Sequence, residues 1–282
     1  MKMMLVDSNQ IFLGNIFALT KKQSDVDLPL LRHTFLKSVI TLNRKFKADE
    51  VVICLEGTSW RKEVAPHYKS HRAKGREQSP YDFDILFKLI NELTDEIDEY
   101  LPWKVIRHPR AEADDVIGQL TRRHVAGGGD VVIISSDKDF KQLHGSNVVQ
   151  WNPTMKKHVR VNPKENYLQE HIIRGDQGDF VPNILSEYEH MITEGTRQKS
   201  ITKKFFEQVM NMSEDDILAH PDLSKNYKRN RELVDLSYTP TDIKMEINDM
   251  YDNYEGTTDK KKVFNYFAKK RLKLLMGDIK DV

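Results

Sequence analysis

Three short apolar runs, at residues 3–6, 51–55 and 131–135, each lead straight into an acidic side chain. Met4-Leu5-Val6 meets Asp7, and Val52-Ile53-Cys54-Leu55 meets Glu56. Val132-Ile133-Ile134-Ser135-Ser136 meets Asp137, with Asp139 two residues on. Apolar runs of this length without polar alternation predict strands covered on both faces. Longer amphipathic stretches separate them. Residues 28–46 carry Leu31, Phe35, Val39 and Leu42 at helical spacing, and residues 85–100 carry Leu86, Leu89, Ile90, Leu93 and Ile97. Residues 112–125 predict a further helix, stopped by Gly127-Gly128-Gly129. Strands alternating with helices predict an α/β fold with a mainly parallel central sheet flanked by helices. In such a sheet the strand C-termini share one edge, where ligands bind, so these acids converge although they are far apart in sequence. Residues 148–151 and 158–161 predict one more strand each, with a turn at Asn152-Pro153.

The chain can fill such a core. Of its 282 residues 39 % are hydrophobic, so global disorder is excluded. The 44 Lys and Arg nearly balance the 43 Asp and Glu, so any basic surface is offset by acids elsewhere and its distribution matters more than the net charge of +1. A single cysteine, Cys54, excludes an intrachain disulfide and reads as a buried small side chain in a reducing compartment. The first seven residues lack the apolar length of a signal peptide, and no stretch approaches the roughly 18 apolar residues of a membrane span, so a cytoplasmic protein is expected.

Two departures from the strand–helix rhythm mark organisation. Across residues 57–82 apolar periodicity fades while Arg61, Lys62, Lys69, Arg72, Lys74 and Arg76 accumulate, with Trp60 and Tyr68 interleaved. An exposed basic segment is expected there, its cations suited to phosphate and its rings to stacking on bases. From about residue 165 strand signals vanish and helical patterns dominate. The expected organisation is a core at residues 1–164 and a helical part at residues 165–282. The stretch 260–271 mixes a basic helix face with Phe264 and Phe267, which fits either a nucleic-acid or partner contact or packing against the core.

Two further acidic groups join the strand-end carboxylates: Glu112-Ala113-Asp114-Asp115 at a helix start, and Asp176 and Asp179 around Gly175 and Gly178. Singly, each has a structural reading. Acids favour the first turn of a helix, and an acid after a strand is often a cap or turn former. Jointly they repel, and their burial is unfavourable without a partner. A set made of hard oxygen ligands points to Mg²⁺ or Mn²⁺ rather than zinc. Two such ions about 3.5–4 Å apart can hold a scissile phosphate, activate water and stabilise the leaving oxygen.

Taken in order, Leu5-Val6-Asp7, the basic stretch from Arg61 through Pro66-His67-Tyr68-Lys69 to Arg72, Glu112-Ala113-Asp114-Asp115, Ser135-Ser136-Asp137-Lys138-Asp139 and Gly175-Asp176 to Asp179 resemble the flap endonuclease (5′-nuclease) superfamily, and its bacteriophage ribonuclease H branch most. The resemblance spans roughly residues 3–185. It implies a PIN-like 5′-nuclease core with a helical arch over the site and a helix–turn–helix element in the C-terminal part. It also implies a two-metal enzyme using two Mg²⁺, with Mn²⁺ as a substitute, that removes nucleotides from 5′ ends, acts on flaps and RNA–DNA hybrids, and clears RNA primers in phage replication. By similarity Asp7, Glu56, Glu112 and Asp114 surround the first ion, Asp137, Asp139, Asp176 and Asp179 the second, and Asp115 serves either. Tyr68, Lys69 and Arg72 match the family's phosphate-directing residues, with Lys69 and Arg72 acting in catalysis beside Asp7, Asp114 and Asp137. The resemblance further implies nicked duplex as a substrate, a single-strand-binding protein or sliding clamp as a partner, a monomer, and action in the infected cell.

Three positions depart from the family pattern. Glu56 stands where Asp is usual, Phe180 where Asn is usual, and no Gly-x-Gly hairpin follows Asp179. In the hairpin's place come Gly195, Arg197, Lys199, Lys203 and Lys204, which offer close backbone approach and charge for a duplex. Glu194 belongs to the same stretch. Two other readings fit the acidic pattern: a non-catalytic structure-specific DNA-binding relative, and a compact PIN-type ribonuclease. The intact set of carboxylates argues against the first, the long basic segment and the Asp176 turn against the second.

Overall fold

The computed structural model describes residues 1–162, 166–193, 195–257 and 259–282. The expected division at 164/165 and the position of Glu194 lie outside them. The chain forms two compact units, interleaved along the sequence. One comprises Met1–Thr58, Arg76–Arg160 and Pro240–Val282; the other comprises Ser59–Gly75 and Val161–Thr239.

The first unit is built on six strands: β1 (Lys2–Asp7), β2 (Glu50–Leu55), β3 (Lys104–Arg107), β4 (Asp130–Ile134), β5 (Val148–Asn152) and β6 (Lys157–Val159). Their order is β3-β2-β1-β4-β5-β6. All neighbours are parallel except β5 and β6, which pair antiparallel across the turn expected at Asn152-Pro153. The chain runs outward from β1 through β2 to β3, then crosses back to place β4 on the other side of β1. That reversal opens a crevice at the C-terminal ends of β1 and β4.

Alternation along each strand supplies two buried faces. Met4, Val6, Val51, Ile53, Leu55, Val132 and Ile134 share one cluster with Phe12, Phe35, Val39, Leu86, Ile90 and Ile97 from flanking helices. The residues between them, Met3, Leu5, Val52, Cys54, Val131 and Ile133, are equally buried. The helix Ala113–Ala126 packs on β1, β2 and β4, and the helix Thr241–Asp252 packs on it and on β3. The helix Leu28–Phe46 starts at Asp27, whose carboxylate accepts from the Leu30 amide, and ends at Lys47 in a left-handed conformation. The tail returns to this core. Val263, Tyr266, Phe267, Leu272 and Leu275 are buried in the same cluster as Leu31 and Ile97, whereas Phe264 is 51 % exposed. Phe267 therefore packs inward as one reading of that stretch required, and Phe264 does not. A buried knot fixes the contact: Glu96 accepts from Arg32 (2.5 and 2.7 Å), Tyr266 (2.8 Å) and Lys270 (2.5 Å).

Among the described residues the second unit is helical apart from one isolated bridge, with a core of Ile172, Ile173, Ile184, Val209, Ile217, Leu223, Tyr227 and Val234. Ser59–Gly75 of the basic segment belongs to it, with Ala65 and Tyr68 packed against Val181 and Leu233, whereas Arg76 and the rest of the segment after it belong to the first unit. Units defined by packing thus differ from a single cut of the chain, because residues 240–282 bury their apolar face in the sheet core and residues 59–75 bury theirs among the helices.

Candidate functional site

The strand-end acids of the first unit meet where β1 and β4 open the crevice. Asp7 closes β1 and Glu56 follows β2 directly. Glu112 is the N-cap of the helix Ala113–Ala126, with Asp114 and Asp115 in its first turn. Asp137 caps the 3₁₀ turn Lys138–Leu143 after β4, its Oδ1 accepting from the Asp139 amide at 2.9 Å.

Hydrogen bonds from uncharged donors stitch these ends together. The Ser135 hydroxyl donates to Asp7 Oδ2 at 2.8 Å and accepts from the Asp137 amide at 3.0 Å, joining the ends of β1 and β4. The Ala113 amide donates to Glu56 Oε2 at 3.2 Å, joining the end of β2 to a helix N-terminus. The extra methylene of Glu56, compared with the usual Asp, gives it that reach. The Glu112 amide donates to Asp115 at 3.1 Å, and Asp115 is only 1 % exposed, so part of that carboxylate is committed to the helix cap. Asp7 and Glu112 are buried, while Glu56, Asp114, Asp137 and Asp139 are half-buried.

Cys54, at the end of β2, reports the field at this edge. Burial pushes its thiol well above the ordinary range, and the charges of Asp7 and Asp114 push it further. The sulfur stays protonated and offers no soft thiolate. The donors that remain are carboxylate oxygens, and they fit a hard divalent cation.

Polar residues missed by the pattern analysis hold this edge in shape. Gln150 on β5, fully buried, donates through Nε2 to the carbonyls of Ser135 (2.9 Å) and Asp137 (2.6 Å). Gln10 accepts from the Ser136 amide (2.5 Å) and hydroxyl (2.7 Å). The Ser8 hydroxyl donates to the Cys54 carbonyl at 2.6 Å.

In the second unit, Gly175 (φ +68°) opens a turn in which a Cβ would lie 2.4 Å from the Val181 carbonyl, so glycine is required. Asp176 Oδ1 accepts from the amides of Gly178 (2.6 Å) and Asp179 (3.2 Å), and its Oδ2 faces His171 Nε2 at 2.8 Å. Asp179 anchors the basic segment. Its carboxylate accepts from Tyr68 Oη (2.9 Å) and Arg72 (2.6 Å) and lies 3.4 Å from Lys69 Nζ, while its carbonyl accepts from the Lys69 amide (2.9 Å). Phe180, in place of Asn, takes the left-handed φ of +61° and stacks on His71.

The expectation of a uniformly exposed basic segment needs correction. Trp60, Arg61 and Tyr68 are buried, at 2–3 % exposure. The Arg61 guanidinium packs 4.7 Å from the Trp60 ring centroid and donates to the Leu233 carbonyl at 2.8 Å. Paired rings bury this cation, so neither ring is presented for stacking on a base and Arg61 is a structural residue. Lys62, Arg72, Lys74 and Arg76 are exposed and Lys69 half-buried, as are Gly195, Arg197, Lys199, Lys203 and Lys204 exposed in the helical unit. Among the described residues no helix is long and apolar enough to cross a membrane.

Comparison with known proteins gives matches over the whole length. The model of the 5′-3′ exonuclease N-terminal, resolvase-like domain matches residues 2–172, and that of the T4 RNase H C-terminal domain matches residues 164–282. Ribonuclease H of Enterobacteria phage T4 is 31 % identical, over 98 % of this chain and 94 % of that protein. Flap endonuclease Xni of Shewanella sp. (strain MR-4) is 26 % identical, over 88 % of this chain and 93 % of its own length. Among solved structures, T5 D15 protein co-crystallised with metal ions superposes with a TM-score of 0.66 at 18 % identity, covering 90 % of this chain and all of that one. T5 5′-exonuclease with divalent metal ions (zinc) gives 0.63 at 17 %, over 90 % of this chain and all of that one. These two share the fold.

Proposed function

We propose that this chain, which belongs to the 5′-3′ exonuclease family and is a phosphodiester hydrolase acting as a 5′-nuclease, uses the carboxylates at its sheet edge to hold two Mg²⁺ ions and removes RNA primers during phage DNA replication. One observation carries the reading. Acids from β1, β2, β4 and one helix start are gathered at the single edge where an open parallel sheet binds ligands, and their oxygens suit a hard cation.

Asp7, Glu56, Glu112 and Asp114 would ligate one ion, and Asp137 and Asp139 would contribute to the other. Asp115 would support the group as a cap. Asp176 and Asp179 are assigned to metal by their motif alone. Ions bound there would polarise the phosphate and activate the attacking water. The chain's own residues do the rest. Ser135, Gln150 and Gln10 hold the carboxylates in a fixed array, which limits the reorganisation needed at the moment of reaction. Lys69 and Arg72 supply positive charge to a phosphate oxygen, Lys69 from a segment that acts as an arch. Exposed cations on that segment (Lys62, Lys74, Arg76) and in the helical part (Arg197, Lys199, Lys203, Lys204, with Gly195) follow the backbone of the substrate, the latter as part of a helix–turn–helix grip. RNA–DNA hybrid, 5′-flap and nicked duplex DNA are the substrates of this reading. A single-strand-binding protein or sliding clamp is its partner, and a monomer in the host cytoplasm is its form.

The test is cleavage of 5′-labelled hybrid, flap, nicked and intact duplex substrates, with Mg²⁺ and with chelator, by the parent and by Asp137→Asn. Products released from 5′ ends, strict metal dependence and loss of cleavage in a folded Asp137→Asn are expected. Near-normal turnover by Asp137→Asn in Mg²⁺ would overturn the metal assignment.

A further inference from the structure

We propose that His108, latched to Glu246, is a positioning residue that sets the loop leading into Glu112 and the helix start at Asp114, so that the helix Thr241–Asp252 tunes how tightly the acidic edge holds its divalent cation. This rests on the metal reading above. Both residues belong to the first unit.

The imidazole is unusual for its surroundings. His108 is fully buried, yet it is not packed as an apolar filler: both ring nitrogens have partners. The Arg110 amide lies 3.1 Å from Nδ1. A backbone N–H can only donate, so Nδ1 carries a lone pair and the ring proton sits on Nε2. Nε2 then donates to Glu246 Oε2, 2.6 Å away. One tautomer and one ring orientation satisfy both bonds.

The backbone of the same residue is equally constrained. The Gly57 amide donates to the Ala111 carbonyl (2.9 Å), the Thr58 amide to the Pro109 carbonyl (2.9 Å) and the Ala111 amide to the His108 carbonyl (3.3 Å). The first two bonds zip the loop after β2 to the loop after β3, and the third tightens the latter. The zip is so close that a Cβ on Gly57 would lie 2.0 Å from the His108 carbonyl oxygen. Glu56 precedes one side of this zip and Glu112 follows the other, and the bond from the Ala113 amide to Glu56 closes it at the acidic end. His108 is thus where the side chain of a distant helix grips the loop pair carrying two expected ligands.

That helix is itself tied down along its length. Arg110 pairs with Asp242 (2.9 Å), Gln119 donates to Asn248 (3.2 Å), Arg123 pairs with Asp252 (2.5 Å) and Lys104 donates to the Tyr251 carbonyl (2.9 Å). Glu246 is the contact that reaches His108, its carboxylate, with a side chain 58 % exposed, accepting from a ring N–H that is fully buried. Without it, that donor is left unsatisfied and the loop loses its lateral anchor. Outer partners that orient metal-binding groups typically change metal affinity by about 10–100-fold.

Full-length parent, Glu246→Gln, Glu246→Asp, Glu246→Ala and, as a control at the far end of the helix, Asp252→Ala are titrated with Mn²⁺ by electron paramagnetic resonance, with cleavage measured across the same metal range. Glu246→Gln keeps an acceptor at the same reach and should bind Mn²⁺ within about twofold of the parent, as should Asp252→Ala. Glu246→Ala should bind roughly 10-fold more weakly and recover cleavage as metal is raised. Glu246→Asp keeps the charge but withdraws the oxygen, and should follow Glu246→Ala. Those two variants read the same contact independently, so misfolding of one leaves the other decisive. Parent-like Mn²⁺ binding by Glu246→Ala, or equal weakening in Glu246→Gln and Glu246→Ala, overturns the latch. Asp137→Asn, run alongside, separates the two levels: if it cuts normally the metal reading fails, and if it is inactive while Glu246→Ala matches the parent, the latch alone fails.

Discussion

Replacing Glu96 by Gln keeps the shape of the side chain and removes the charge at the centre of the knot that ties the tail to the sheet core. Burial alone would raise the Glu96 carboxyl, but the bonds from Arg32, Lys270 and Tyr266 outweigh it and hold the group at about 2, against 4.5 when free. Because the folded value is the lower one, the stabilisation is complete above 4.5 and is lost as pH falls towards 2. The difference corresponds to about 3 kcal/mol at pH 7, and linkage leaves roughly half of it or less at pH 3. Independently, removing one partner of a buried pair costs about 3–5 kcal/mol, and Arg32, 5 % exposed, would be that stranded partner. At roughly 2–4 °C per kcal/mol for a domain of this size, Glu96→Gln should melt about 6–12 °C below the parent at neutral pH. Thermal unfolding followed by circular dichroism at pH 7, 4 and 3 reads both the gap and its change. The gap should narrow by about half as pH falls, since the parent loses its advantage and the variant has none to lose. A gap under about 2 °C at pH 7, or one that stays constant with pH, would refute the reasoning.

Lys69→Ala should lower the single-turnover cleavage rate by a factor of order 10² while weakening substrate binding much less; Lys74→Ala, on the exposed helix His71–Glu77, should affect binding modestly and leave the rate alone, and identical behaviour of the two would reduce the segment to an electrostatic guide. Gly57→Ala should lower both the melting temperature and cleavage, because its Cβ meets backbone oxygens of His108 and Ala111 at 2.0 and 2.8 Å; an active, equally stable variant would show that the two loops part without consequence. Gln150→Ala removes one hydrogen bond from each of the Ser135 and Asp137 carbonyls and should cost roughly 1–3 kcal/mol in chemical denaturation, together with metal-dependent cleavage. Metal-free protein should bind substrate without cutting it, with an affinity that falls steeply with salt; a flat salt dependence would remove the exposed cations from the footprint.

The features legible in the sequence were those with a period or a charge. Apolar runs ending in acids located β1, β2 and β4 and the edge they share, and Leu31, Phe35, Val39 and Leu42 at helical spacing located the helix Leu28–Phe46. The strand β3 escaped because Val105 and Ile106 are its whole apolar content and Lys104 and Arg107 flank them, as befits the edge of a sheet. The helix Ser8–Leu19 escaped because it begins on the residue after β1, with no linker to announce it. At the site, carboxylates could be read because like charges in one place demand a reason. Gln150 and Gln10 could not, since an uncharged polar side chain in or near a strand carries no period, and the motif around Ser135 did not reveal its bond to Asp7. The depth of Arg61 was hidden as well: it stands in a stretch rich in Lys and Arg, and the Tyr68 ring and the Leu233 carbonyl that help enclose it reach it only once the chain has turned.

The interleaving of the two units sets an order of events during synthesis. The acids at the sheet edge are all made by residue 139, yet the core beneath that sheet includes Val263, Tyr266, Phe267 and Leu275, and the buried charge of Arg32 and Glu96 is completed by Tyr266 and Lys270. A nascent chain halted before residue 240 therefore carries every carboxylate at that edge on a scaffold still open on one face. A chain truncated there should hold its acids in no fixed array and cut nucleic acid poorly; cleavage equal to that of the 282-residue chain would show that the tail is dispensable for the edge.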